Sequence, residues 1–153
     1  MSVNAGVIRG GTRPNVVAET CELQVDLRAA TADAFAAAAA AVERIARTPS
    51  VPDVIVDLRQ IAGHPPMERG PGTGRLADLA ITIAAELGMD VRDAATGGAS
   101  DANTTAALGI PTLDGLGPVG GDDHSVDEWL DVTSIGPRTT LLAALVARCG
   151  EAL

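Results

Sequence analysis

Aromatic side chains are almost missing from this sequence: it has no tyrosine, one phenylalanine (Phe35) and one tryptophan (Trp129). The large flat residues that fill many interiors are therefore unavailable, and any core must come from Ala, Val, Leu and Ile. Each alanine buries little area, so such a core implies modest stability for the chain by itself. Cysteine is scarce as well. Cys21 and Cys149 are the only two; they form no CxxC or zinc-finger spacing and are too few for a disulfide framework, so they read as buried thiols. No run of about 18 uncharged apolar residues occurs, which excludes a membrane-spanning helix of ordinary length. The 11 basic residues are scattered among 20 acidic ones, for a net charge of −9. That balance disfavours a nucleic-acid partner or an anionic membrane surface. The opening "MSVNAGVIRGG" lacks the charged and apolar regions of a secretion signal, and a cytoplasmic protein is expected. GxSxG, P-loop, GxGxxG and HExxH patterns are absent, so those reaction classes lack support.

What is present suffices for folding. Hydrophobic residues make up 46% of 153 residues, enough for a core and for one domain or two small parts of larger ones. "NAGVIRGG" predicts a strand. "NVVAETCELQVDLRAA" alternates, with Cys21, Leu23, Val25 and Leu27 on one face of a half-buried strand. The two are expected to pair antiparallel through "GGTRP". Thr31 is positioned to cap a helix over "ADAFAAAAAAVERIAR", with Phe35, Ala38, Val42 and Ile45 as one stripe, Asp33 in the first turn and Arg44 and Arg47 near the far end. "VPDVIVDLRQIA" (residues 51 to 62) predicts a further strand. Residues 63 to 74, "GHPPMERGPGTG", hold three prolines and four glycines, which marks a boundary. Beyond it the pattern predicts a helix from Arg75 to Leu87 stopped by Gly88 and a short strand at 89 to 93. A glycine-rich loop, a strand at 110 to 117 and a closing helix from about Thr133 to Arg148 follow. The fold class is α/β, with domains at 1–62 and 63–153. The first resembles half of a ferredoxin-like sandwich and the second the end of a mixed α/β sheet.

Three loops carry candidate chemistry. In "TGGASDANTTAALG", Gly97 and Gly98 let a ligand approach the backbone, and Ser100 or Asp101 can cap a helix running through Asn103 to Leu108. The loop suits a carboxylate or another anion, or is a plain capped turn. In "GGTRPNVV", Arg13 offers a planar fork to a carboxylate and Asn15 a donor to a carbonyl; an ordinary turn is the other reading. In "PVGGDDHSVDEWLDV", His124 lies between acidic pairs. It is either incidental in a solvated acidic loop or aimed at a metal, with Asp122 and Asp123 as ligands, as neighbours that orient it, or as plain surface charge. His64, in the linker, reads as exposed.

Taken in order, "GGTRPNVV…ELQVDLR", "HPPMERGPG", "TGGASDANTTAALGIPTLDGLGPVGG" and "DHSVDEW" resemble the C-terminal half of the co-catalytic zinc aminoacylase/carboxypeptidase family. That family includes acetylornithine deacetylase and succinyl-diaminopimelate desuccinylase, and the likeness is greatest to its carboxypeptidase G-like, glutamate carboxypeptidase branch. The resemblance runs from Val3 to Leu145. It implies that residues 1–62 are part of a ferredoxin-like lid, which dimerises in the family, and that 63–153 are the last part of a zinc-peptidase α/β catalytic domain. It places His124 on the final zinc ligand, Gly97, Gly98, Ser100 and Asp101 on the substrate-pocket loop, and Arg13 and Asn15 on lid residues that reach a substrate carboxylate or scissile carbonyl.

The implied intact enzyme uses two zinc ions to cleave an amide next to a free carboxylate, in an N-acyl amino acid or before a C-terminal glutamate, with a glutamate as general base. Its other metal ligands and that base belong to an N-terminal half that this sequence does not contain. One histidine cannot hold two zinc ions, so the chain alone is expected to be inactive and to hold at most part of a metal site. Two departures stand out: Asp122 and Asp123 replace small residues, and His64 stands where arginine is common. The alternatives are a non-enzymatic dimerisation or interaction module left from such an enzyme, or a small-anion binder using the glycine loop.

Overall fold

The computed structural model describes residues 1–153, which divide into two compact units, Met1–Glu68 and Arg69–Leu153. In the first, the period-two segments pair as expected. Strands β1 (Ser2–Gly10) and β2 (Cys21–Arg28) run antiparallel from Ser2 opposite Arg28 to Gly10 opposite Cys21, with a bulge between Ala5 and Val7. The extra residue is Gly6, a common occupant of such irregularities. Helix α1 (Ala32–Ala46) begins at Thr31, whose hydroxyl accepts the Ala34 N–H at 3.2 Å. The Glu68 carboxylate accepts the Ala32 N–H at 2.7 Å, placing negative charge at the positive end of α1. Helix α1 packs on β2 and buries Ala38, but Ile45 at the far end of its stripe is 71% exposed.

The expected half-burial of β2 is reached only at Leu27. Leu23 is 54% and Val25 43% exposed, because a two-stranded ribbon with one helix has too little surface to cover them. Cys21 is exposed and Cys149 half-buried, so neither is the buried thiol expected. The strand expected at 51–62 does not form, and Ile55 and Ile61 stand in solvent. Its apolar residues suit a strand, but a ladder needs a pairing partner, and no strand of this unit pairs with it.

The second unit is built on two helices. Helix α2 (Pro71–Glu86) starts four residues before the expected position, because Pro71 takes the first helical turn where its missing N–H costs nothing. It ends at Leu87, with Gly88 at φ 73°, a left-handed conformation suited to glycine. Helix α4 (Ile135–Arg148) packs against α2, and Ala80, Ile83, Ala84, Leu141 and Leu145 form the buried core. Arg75 Nε donates to the Ala152 carbonyl at 2.8 Å, tying the C-terminal turn to α2. Helix α3 (Asp101–Ala107) and the two-residue strands β3 (Gly120–Gly121) and β4 (Trp129–Leu130) complete the unit.

The strands expected at 89–93 and 110–117 are absent. Their pattern still has physical meaning, since Met89, Val91, Leu113 and Leu116 all pack against the α2–α4 core. Their apolar side chains turn inward all the same. The pattern did not supply a hydrogen-bonding neighbour.

Candidate functional site

Of the two caps open to α3, Ser100 is the one used. Its Oγ accepts the Ala102 N–H at 3.1 Å, and the Asn103 side chain accepts the Ser100 N–H at 3.0 Å, a reciprocal box at the helix start. The same hydroxyl donates to Asp114 Oδ2 at 2.7 Å. Asp101, the first residue of α3, is exposed. The start of α3 thus has one carboxylate on it, Asp101, and a second, Asp114, bonded to its cap.

Gly97 and Gly98 are instructive for what surrounds them. A Cβ on Gly97 would meet nothing within 4 Å, and one on Gly98 only Thr96 Oγ1 at 3.7 Å; neither residue has positive φ. Backbone geometry and packing within this chain therefore do not require glycine at either position. Open approach to the backbone is what the two glycines provide.

His124 lies at the tip of a hairpin. Gly120 pairs with Leu130 and Gly121 with Trp129, and the turn between them holds Asp122 at φ 57° and His124 at φ 67°. The left-handed region is uncommon for residues with side chains and is best tolerated by Asn, Asp and His. The His124 N–H donates to Glu128 Oε2 at 3.2 Å, and the Ser125 N–H to the Asp122 carbonyl at 3.1 Å. Glycine is needed at Gly120, where a Cβ would lie 2.7 Å from the Trp129 carbonyl; one on Gly121 would lie 2.9 Å from the indole nitrogen and displace that ring. Trp129 therefore lies across Gly121 and stiffens the stem below the histidine. An open depression beside it is lined by Pro118, Gly120, Asp123, Glu128, Trp129 and Leu130.

Asp131, at the exit of the loop, accepts the Thr133 N–H at 2.9 Å and hydroxyl at 2.6 Å. The Thr133 bonds, side chain first, hold its carboxyl below the usual carboxylate range.

Arg13 and Asn15 belong to the first unit. Both are exposed on one turn, where the Val16 N–H donates to the Arg13 carbonyl at 3.1 Å. His64 is exposed. The second unit therefore groups Gly97, Gly98, Ser100 and Asp101 on one loop and carries His124 on another, while Arg13 and Asn15 share a turn of the first.

No three His, Cys, Asp or Glu side chains come together as a cage, around His124 or elsewhere. The residues of this chain alone do not fit a metal ion, which needs three or four protein ligands.

Sequence reasoning missed Asp114, which shares the Ser100 hydroxyl, and Arg138, whose guanidinium reaches the Gly115 and Gly117 carbonyls. Arg138 carried a signal: a cation in the first turn of a helix opposes the helix dipole and implies a specific partner. Asp114 carried none, since its contact spans 14 residues.

Residues 4–148 match the sequence profile described as Peptidase family M20/M25/M40. Carboxypeptidase G2 of Pseudomonas sp. (strain RS-16) is 30% identical over 152 residues, which cover 96% of this chain and 36% of that protein. The chain thus spans well under half the length of this relative.

Proposed function

The chain belongs to Peptidase family M20/M25/M40, and from that premise we propose that it is the C-terminal part of a metal-dependent exopeptidase or amidohydrolase. Membership supports a hydrolase of the peptidase class; carboxypeptidase G2 is, by its name, a carboxypeptidase. In this reading the intact enzyme cleaves an amide beside a free carboxylate, in an N-acyl amino acid or before a C-terminal glutamate. Residues 1–62 act as the lid and dimerise, residues 63–153 complete the catalytic domain, and the assembly is cytoplasmic. The observation that carries the reading is the match over residues 4–148, which includes both the glycine loop and the histidine hairpin.

His124 supplies one ligand to zinc, and the remaining ligands come from polypeptide outside this chain. Arg13 and Asn15 receive the substrate's carboxylate and carbonyl. Gly97 and Gly98 let substrate lie against the backbone, while Ser100 and Asp101 fix the start of α3 beneath it. No catalytic step is assigned to this chain alone, because its own residues do not hold a metal.

A second reading is favoured by one observation. The first unit exposes Ile8 at 72%, Val17 at 95%, Ile55 at 94% and Ile61 at 83%, an apolar load suited to an interaction module that associates without catalysis.

The first of two measurements tests the incomplete site and the second separates the readings. Purified chain with added zinc should leave N-acyl amino acids and glutamate-terminated peptides uncut; robust turnover would sink the incomplete-site argument. Sequencing the DNA upstream of the Met1 codon should reveal an in-frame extension encoding an HxD motif and a Glu-Glu pair. A stop codon with no such motifs nearby would move the conclusion to the interaction module.

A further inference from the structure

We propose that Arg138 is the positioning residue of the His124 loop, anchoring its root to the core through α4; the functional interest of this rests on the reading of His124 given above. Arg138 Nε donates to the Gly117 carbonyl at 2.7 Å and Nη2 donates to the Gly115 carbonyl. These carbonyls lie on the segment that enters the loop, and Gly115 turns there at φ 67°. One residue beyond Pro118, the Val119 N–H donates to Ser134 Oγ at 2.8 Å, and that hydroxyl donates to the Asp131 carbonyl at 2.6 Å. The Asp131 N–H in turn donates to the Val119 carbonyl at 2.8 Å. Entry and exit of the loop are thus bound to each other and to the first turn of α4.

Helix α4 is itself fixed, since Leu141 is 0% and Leu145 5% exposed against α2. The order of support is core, α4, Arg138, loop root, hairpin stem, His124. A planar guanidinium reaches two carbonyls at once, whereas an ammonium on a flexible stem reaches them one at a time. The position of Arg138 in the first turn of α4, unfavourable by charge, is accounted for by this clamp.

The experiment is amide hydrogen exchange read by nitrogen–proton NMR on the purified full chain, its R138A variant and its R138K variant. In R138A the Val119 and Asp131 amides should exchange at least about tenfold faster. The His124 amide and Trp129 indole signals should shift or broaden, while His64 stays unmoved. Amides around Ile83 in α2 should remain within about twofold of the parent. R138K should recover part of the protection, because it can serve one carbonyl. Unchanged exchange at Val119 and Asp131 in R138A would overturn the proposal, and so would protection lost in parallel at Ile83, which would make Arg138 a general stabiliser. None of these readouts needs a metal or substrate. A loosened loop in R138A alongside an upstream sequence without metal-binding motifs would keep Arg138 as the anchor and discard His124 as a ligand.

Discussion

Replacing Ser100 with alanine isolates the energetics of the glycine loop. The hydroxyl accepts from the Ala102 and Asn103 N–H groups at the start of α3 and donates to Asp114. Loss of an N-cap typically costs about 1 kcal/mol, within a range of roughly 0.5 to 2. The bond to Asp114 adds less than its charge suggests, because Asp114 is exposed and water takes over its lone pairs; a few tenths of a kcal/mol is the expected order. The Asn103 half of the capping box survives, since it bonds the backbone N–H of residue 100. The total is about 1 to 2 kcal/mol. In a unit of about 85 residues (Arg69–Leu153), each kcal/mol lowers Tm by roughly 4–8 °C. Urea unfolding followed by Trp129, the sole tryptophan, should show a lower midpoint with an unchanged slope. S100T should stay near the parent because it keeps the hydroxyl. A double-mutant cycle with D114N should give a coupling of a few tenths of a kcal/mol. A loss in S100A below about 0.3 kcal/mol would refute the capping argument.

Three further outcomes follow from the same geometry. L141A removes a fully buried side chain flanked by Ala80 and Ala84, whose short side chains cannot move in to fill the space. The loss should fall in the upper half of the usual 2–5 kcal/mol range, and calorimetry showing under about 1.5 kcal/mol would contradict this core. G120A pushes a methyl against the Trp129 carbonyl, so β3 and β4 should separate with a blue-to-red change in Trp129 emission while α2 and α4 keep their circular dichroism. Asp131 has a lowered folded pKa through Thr133, so the stability it provides is present above the ordinary aspartate value of about 3.9 and is lost as pH falls through its folded value. D131N, which can still cap, should match the parent near pH 7 and lose less stability than the parent in acid; equal acid losses in both would remove Asp131 from that role.

Local signals were legible from residues alone, and non-local ones were not. Thr31 capped its helix as its side chain and position require, and β1 paired with β2 because both partners lie within one short span. For α3 the residues left Ser100 and Asp101 both open. The structure uses Ser100 because its backbone is extended at the N-cap position, whereas Asp101 is already the first helical residue. The segments at 51–62, 89–93 and 110–117 carry strand-like apolar residues yet no ladder, since pairing depends on a neighbour that periodicity cannot specify. The hairpin under His124 was not read from the sequence, and the placement of Trp129 against Gly121 is a contact eight residues apart that no local pattern encodes.

The bond between Glu68 and the Ala32 N–H has a kinetic consequence. It closes a loop of 36 residues, and holding the ends of such a loop together costs about 3 kcal/mol of chain entropy. A single exposed charge-assisted bond contributes roughly 1.5 to 3 kcal/mol at best, so it offsets that cost with little surplus. Proteases cut exposed backbone outside helices and strands, and Val54 to Ile61 is such a stretch, its apolar side chains in solvent. Under brief digestion the polypeptide should be severed first in this stretch, long before the α2–α4 core yields.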